Sequence, residues 1–300
     1  MRPALPNGRW ARALVLGAGA AVVAAAACSD VTSDPKVPFS IEFNGAPAPS
    51  VVLGEQMFDS LGIVAPLVAH VFNSRGDEIA GATVTYHVVA YDNVPKTNPA
   101  FSDSVPLTVD AATGVVTGKS APVYATKTAR VYAQAGSLQS RTVIITATRH
   151  PDTLVAGGRL VDSTTLSFLN TDSLLVPATS AFNVRVLHTT GAPATAADSA
   201  VPAYLVRFRI VQPAGASTDT SYVMLTNGDR KRSELDTTDA SGNASRQLRI
   251  RRVNFPFDKP ASGGIVSDTI RVQASAYREG GQLVPGSPIE FRFVIRSSAH

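Results

Sequence analysis

One segment of this 300-residue chain has the composition of a phosphate-binding loop, Gly114–Ser120 with the sequence GVVTGKS. Such a loop needs four residues between its glycines and a helix that follows it. Only three residues separate Gly114 from Gly118, and the residues after Ser120 show no helical period. We therefore interpret the segment as a turn between strands, and we predict no nucleotide or other cofactor.

The sequence contains no pattern typical of a metal site or a catalytic triad. Metal sites commonly place two histidines two or four residues apart, and no such pair occurs here. The five histidines are His70, His87, His150, His188 and His300. No G-x-S-x-G segment is present, and no carboxylate pair stands out. We predict no metal, no catalytic residues and no enzyme, and we expect structural roles at strand edges for His70 and His188.

Arg75, Gly76 and Asp77 form the tripeptide that integrin ligands display. Glycine and aspartate are also common turn residues, because glycine adopts positive φ freely and aspartate bonds to nearby backbone N–H groups. So short a motif often arises by chance. We favour a structural turn and keep an adhesion site as a hypothesis.

Arginines recur on one parity of several predicted strands in the second half of the chain. They are Arg207, Arg209, Arg249, Arg251, Arg271, Arg292 and Arg296, with Arg230–Arg232 in a loop. Guanidinium groups bind carboxylate and phosphate through paired hydrogen bonds, so one interpretation is a face for an anionic glycan, lipopolysaccharide phosphate or an acidic protein. The other is a solvated sheet face whose arginines pair with nearby acids and hinder edge aggregation. From the sequence we favour the second.

The elements that position these residues are predicted to be β-strands. From Phe39 onward, apolar and polar residues alternate over short segments between Gly, Pro, Asn and Asp clusters, and no helical period is sustained. The clearest strands are Thr83–Tyr91, Thr128–Ala135, Val143–Ala147, Leu205–Val211, Arg246–Arg251, Thr269–Tyr277 and Ile289–Ile295. Such alternation buries one face of a strand and leaves the other in water. The pattern predicts an all-β fold of packed antiparallel sheets.

Two pairs of similar segments indicate an internal repeat. Val68–Tyr86 is similar to Phe182–Phe208, and the turn in Val109–Gly118 is similar to the turn in Thr238–Ser245. These segments resemble the bacterial Ig-like modules of the invasin and intimin type, which occur in bacterial surface proteins. The resemblance implies two tandem immunoglobulin-like β-sandwiches, which we place at residues 39–149 and 150–300.

The N-terminal residues predict export from the cytoplasm. Arginines up to Arg12 precede an uncharged apolar run, residues 13–27, whose helix would be about 22 Å long against a hydrocarbon core of about 30 Å. Ala25–Ala27 followed by Cys28, the only cysteine, resemble a bacterial lipoprotein signal. The resemblance implies removal of residues 1–27, acylation of Cys28, and, because Ser29 is not aspartate, transfer to the outer membrane. The alternative is ordinary cleavage at an A-x-A site, with Cys28 a thiol.

Residues 28–38 are predicted to form a polar tether, and the charge of the processed chain then restricts its partners. The chain has 27 Lys and Arg against 23 Asp and Glu, and loss of the three arginines in residues 1–27 leaves 24 against 23. Such a balance gives no reason to expect nucleic-acid binding.

The expected function follows from the predicted anchor and sandwiches. We expect a lipid-anchored bacterial protein at the outer membrane or cell surface, acting as a non-enzymatic binding or adhesion module for an envelope protein or an anionic glycan. The alternatives are a structural spacer or accessory subunit of an outer-membrane assembly and, less favoured, a glycan-active hydrolase.

Overall fold

The structure is a computed structural model that describes residues 35–90, 105–166, 176–177, 179–189, 199–213, 222–250 and 265–298. The predicted signal peptide, Cys28 and Arg251 lie outside these ranges. Within them, the regular elements are twenty β-strands and two short 3-10 turns, Pro122–Tyr124 and Glu279–Gly281. None of the described helical segments is long and apolar enough to cross a membrane.

The first nine strands form the N-terminal sandwich. They are β1 (Ser40–Phe43), β2 (Ser50–Val52), β3 (Ala69–Phe72), β4 (Thr85–Ala90), β5 (Leu107–Val109), β6 (Val116–Gly118), β7 (Thr128–Ala135), β8 (Leu138–Gln139) and β9 (Val143–Thr148). One layer has the order β2-β9-β7-β4 with β8 paired to β7, and the other contains the pairs β1-β3 and β5-β6. Val71, Val131 and Ile145 lie in the core between the layers.

The remaining strands form the C-terminal sandwich. They are β10 (Thr153–Ala156), β11 (Val161–Leu166), β12 (Val176–Pro177), β13 (Phe182–His188), β14 (Ser199–Ala200), β15 (Leu205–Gln212), β16 (Val223–Thr226), β17 (Leu235–Thr237), β18 (Asn243–Ile250), β19 (Ile265–Ser275) and β20 (Ile289–Ser298). A six-stranded sheet has the order β10-β13-β18-β12, with β14 on β13 and β16 on β18. It packs on a five-stranded sheet ordered β11-β20-β19-β15-β17. The ring of Phe182 lies 5.0 Å from that of Phe291 and 5.9 Å from that of Phe208 between them.

The two sandwiches repeat one topology. In each, the first strand (β1 or β10) pairs antiparallel in one sheet, while the next strand (β2 or β11) crosses over and runs parallel to the last strand (β9 or β20). The other pairs in each sandwich are antiparallel. Two such sheets packed face to face form an immunoglobulin-like β-sandwich. The prediction of an all-β fold with two tandem Ig-like sandwiches is confirmed.

The alternation that predicted the strands also determines which side chains are buried. On β15, Val206 and Phe208 are fully buried, whereas the next residue along the strand, Arg209, is exposed. Several strand ends differ from the predicted ones, and the clearest case is β19, which begins at Ile265 rather than at Thr269. Ile265 pairs with Ser298, so the long partner strand β20 extends β19 beyond the range that its own alternation indicated.

In both repeated turns an aspartate side chain accepts hydrogen bonds from backbone N–H groups that follow it in the chain. The carboxylate of Asp110 accepts the N–H groups of Ala112 and Thr113, and that of Asp239 accepts those of Ser241 and Asn243. Hydrogen bonds from Thr113 lower the pKa of Asp110 below its ordinary value, and those from Asn243 do the same for the pKa of Asp239. The phosphate-loop-like segment that follows Asp110 therefore consists of the end of this turn and strand β6.

Candidate functional site

The sandwiches meet end to end at a junction, where the connecting chain and hydrogen bonds from two other segments join them. Residues 149–152 connect β9 to β10. The Ser50 hydroxyl donates to the Ala203 carbonyl at 2.6 Å, and the Gly280 N–H donates to the Gly62 carbonyl at 2.9 Å. Arg149 Nη1 donates to the Ser199 hydroxyl at 2.6 Å. The two bodies are thus held by direct bonds as well as by the connection.

The two hydrophobic cores also extend across the junction. Val52 and Phe58 of the N-terminal sandwich belong to the core cluster of the C-terminal one, and Leu205 packs against the core of the first. The Tyr204 ring meets the Phe58 ring edge-on, and its hydroxyl donates to the Tyr277 carbonyl. Burial raises the pKa of Tyr204, so it stays neutral. Rotation of one sandwich against the other would expose this apolar surface to water.

A group of charged side chains surrounds His150 beside these contacts. His150 Nδ1 lies 2.9 Å from Asp152 Oδ1, and its Nε2 lies 3.4 Å from Glu55 Oε1. Asp152 Oδ2 is 2.7 Å from His188 Nδ1, and Asp152 Oδ1 is 3.6 Å from Arg278 Nη2. Arg278 also donates twice to the Pro151 carbonyl. We call Glu55, His150, Asp152, His188 and Arg278 the junction cluster.

The pKa values of the two carboxylates in the junction cluster are shifted in opposite directions. Burial raises the pKa of Glu55. The charges of His150 and Arg278 lower it, but they offset the effect of burial only in part. Burial also acts to raise the pKa of Asp152, but a hydrogen bond from His150, the Thr189 N–H and the charges of both histidines hold it below its ordinary value. Glu55 Oε2 is buried with no hydrogen-bond partner among the described residues. Ionisation of Glu55 would therefore leave one buried carboxylate oxygen without a hydrogen bond from the described residues.

The junction cluster has the residue types of an acid–base site but not its arrangement. Each ring nitrogen of His150 already faces a carboxylate, so neither is left to activate a nucleophile. Among the described residues, no group of three or more His, Cys, Asp or Glu side chains is placed to hold a metal ion. The cluster can neutralise buried charge and connect the two sandwiches.

Sequence reasoning missed this cluster because its members come from four distant segments. Glu55 follows β2, His150 and Asp152 lie in the connection, and His188 ends β13. The triplet His150-Pro151-Asp152 is the local feature from which part of the cluster could have been predicted, because the His150 and Asp152 side chains bond to each other. His70, for which we expected a structural role at a strand edge as for His188, pairs with Glu78 at 2.6 Å within its own sandwich.

Most of the predicted arginines lie on the outer face of the five-stranded sheet, and we call them the arginine track. They are Arg207 and Arg209 on β15, Arg271 on β19, and Arg292 and Arg296 on β20. Their neighbours along each strand point into the core, including Phe208, Val272 and Phe293. Arg207 pairs with Glu234 at 3.8 Å, and Arg271 pairs with Glu290 at 3.6 Å.

The inclusion of Arg249 in this face is wrong. Arg249 lies on β18, in the six-stranded sheet on the opposite side of the core, and its side chain is buried. Alternation along a strand distinguishes inward from outward positions, but two outward positions on different sheets face opposite directions. Arg251 falls outside the described residues.

The Arg75-Gly76-Asp77 triplet occupies an exposed turn held by Asn73. The Asn73 side-chain oxygen accepts the N–H groups of Arg75 and Asp77, and the Asn73 amide donates to the Asp77 carboxylate at 3.3 Å. The same amide donates to the Pro35 carbonyl at 3.3 Å. The turn therefore lies where the chain enters the N-terminal sandwich, at the end away from the junction.

Comparison with known proteins identifies no family. No family model matches the chain, and no curated protein matches it. Among solved structures, the adhesin InvE of Yersinia pseudotuberculosis is 11% identical, with a TM-score of 0.29 over 85% of this chain and 58% of the adhesin. Domains 4–9 of the surface layer protein SbsC are 12% identical, with a TM-score of 0.25 over 87% of this chain and 32% of that one. Immunoglobulin domains 1–5 of Sidekick-1 are 13% identical, with a TM-score of 0.23.

Proposed function

We propose that this chain is an exported, lipid-anchored protein of the bacterial envelope, whose C-terminal sandwich is a non-enzymatic binding module held away from the membrane. The observation that carries the proposal is the position of the junction. The chain enters the N-terminal sandwich beside Asn73, and the C-terminal sandwich docks at the opposite end, around Phe58 and Gly62. The first sandwich would therefore act as the rigid support of the second.

The same geometry argues against adhesion through Arg75-Gly76-Asp77. An acylated Cys28 would lie seven residues before Pro35, a distance of at most about 25 Å for extended chain. The turn bonded to Pro35 would then face the membrane rather than a receptor on another cell. Accordingly, we place the binding surface on the C-terminal sandwich.

A structural spacer is the second candidate, and the junction favours it as well. Buried apolar side chains and three sets of hydrogen bonds at the junction resist bending, as a spacer within an assembly requires. A glycan-active hydrolase has less support, because both nitrogens of the His150 ring face carboxylates and no nucleophile contacts them among the described residues.

Two experiments test the proposal. Cells that express the chain are grown with an alkyne fatty acid, and we expect the label on the wild-type protein but not on C28S. Label that persists in C28S would refute acylation at this residue. Photo-crosslinking groups are then placed on the outer face of β15 or, as a control, on β7. We expect a defined envelope partner with β15 only; no partner at β15 would favour the spacer.

A further inference from the structure

The register of the five-stranded sheet places two arginines directly opposite each other. Arg271 on β19 and Arg292 on β20 are Cα partners, and both side chains point outward. Like charges at directly opposed positions destabilise a sheet. One acid, Glu290, approaches this pair, at 3.6 Å from Arg271. The two guanidinium groups therefore repel each other, and this repulsion does not help the sheet to fold.

The other members of the arginine track continue this pair into a diagonal line. Arg207 is opposite Ser275 on β19, and Arg296 is opposite Ser267 on the same strand. Eight residues of strand between these two serines correspond to about 27 Å. Arg209 lies between Arg207 and the opposed pair, next to Gln273. The arginine track thus runs along the strands from the junction toward the far end of the C-terminal sandwich.

The arginine track carries more positive charge than its neighbours neutralise. Glu234 and Glu290 are the acids that pair with it, against five arginines. Within the described part of the chain, Arg209, Arg292 and Arg296 form no ion pair. All three side chains are exposed, so their guanidinium groups can form paired hydrogen bonds with an incoming carboxylate or sulfate.

The surface between the arginines indicates what kind of polyanion fits. The outward positions among them include the polar residues Gln212, Thr269 and Gln273, with Val294 between Arg292 and Arg296. No aromatic ring occupies the described outward positions of β15, β19 and β20. Single-stranded nucleic acids gain much of their affinity by stacking bases on aromatic rings, which this face cannot provide. A polymer that binds through regularly spaced acidic groups needs only the charges.

We infer that the arginine track binds a linear acidic polysaccharide, laid along the strands with its acidic groups against successive guanidinium groups. This inference rests on the proposed function, since it names the ligand of the non-enzymatic module. Several weak contacts to one chain act together, because each bound sugar raises the local concentration of the next. The junction keeps the arginine track at a fixed orientation relative to the N-terminal sandwich.

The test uses the full-length protein and immobilised polygalacturonate, a polysaccharide with one carboxylate on each sugar. The variant R271Q/R292Q removes the opposed pair, and R130Q/R141Q removes the same charge from exposed positions of the N-terminal sandwich. We expect the first variant to weaken binding about tenfold and the second less than twofold, with no binding of any form to neutral dextran. Circular dichroism confirms that each variant is folded.

Three results would overturn the inference: no binding to polygalacturonate, equal losses in the two variants, or tighter binding to a poly-dT oligonucleotide. The last would identify a nucleic acid as the better occupant. The crosslinking at β15 separates this outcome from failure of the proposed function. A partner still captured by R271Q/R292Q would leave the binding module in place with a ligand other than an acidic glycan.

Discussion

Phe58 of the N-terminal sandwich packs edge-on against Tyr204 of the C-terminal sandwich, with ring centroids 6.2 Å apart and planes inclined by 71°. This geometry brings the positive edge of one ring to the negative face of the other. Phe58 is 8% exposed although it lies at the end of its own sandwich, because the second sandwich covers it. The stability of the two bodies is therefore coupled.

We expect Phe58→Ala to lower the free energy of unfolding by about 3–5 kcal/mol, the usual cost of removing a buried phenylalanine. Phe39→Ala is the matched control, because Phe39 is 61% exposed. It should cost less than about 1 kcal/mol. Urea denaturation followed by tyrosine fluorescence measures both values. Similar losses in the two variants would mean that Phe58 does not stabilise the junction.

Gly62→Ala should separate the sandwiches. A Cβ atom at Gly62 would overlap the carbonyl oxygen of Arg278 and approach the backbone of Gly281. The residue also has φ +79°, where alanine costs about 1–2 kcal/mol. Gly45→Ala shares the second effect but not the first, since Gly45 has φ +88° and open space around it. We expect the radius of gyration from small-angle X-ray scattering to increase for Gly62→Ala only.

Arg246 is a buried arginine on which a local network depends. It is 4% exposed, lies 2.9 Å from Asp236, donates to the Ser233 carbonyl at 3.0 Å and covers the ring of Phe208. Arg246→Met leaves Asp236 without this partner and should cost about 3–5 kcal/mol. Arg209→Met, at an exposed position, should change the unfolding free energy by less than about 0.5 kcal/mol. Equal costs in a denaturant titration would contradict this role.

Glu55 should make the protein less stable as the pH rises. Its pKa is raised by burial, so the neutral form suits the folded state, and the stability that it contributes at acidic pH is lost as the pH rises through its folded pKa. Glu55→Gln cannot ionise, so the variant does not lose this stability as the pH rises. We expect the Tm of Glu55→Gln relative to wild type to increase between about pH 4 and pH 7.

Asp152→Asn is the control with the opposite sign. The pKa of Asp152 is lowered, so its contribution is present at neutral pH and is lost as the pH falls below its ordinary range, about pH 4. The Tm of Asp152→Asn should therefore lie below that of wild type at pH 7 and approach it near pH 3. Parallel pH profiles for the two variants would show that the pKa values of the two carboxylates are not shifted in opposite directions.

The placement of the arginines separates what alternation predicts from what it does not. Arg207, Arg209, Arg271 and Arg292 were predicted to point outward, and they do, because a strand turns successive side chains to opposite faces. Arg249 follows the same alternation but belongs to the other sheet. Membership of a sheet depends on which strands pair, and pairing joins residues far apart in the chain. The position of Arg271 opposite Arg292 depends on such pairing, so alternation does not predict it.

The sequence by itself determined the all-β fold and the turns at Asp110 and Asp239, because strand alternation and turn chemistry act over a few residues. The two Ig-like sandwiches were implied by its resemblance to bacterial Ig-like modules. Only the tertiary structure decided that Glu55 meets His150 and that Phe58 is covered by Tyr204. It also decided that five arginines form one line. These contacts join segments far apart in the chain, and their energies depend on burial and on partners that no local pattern specifies.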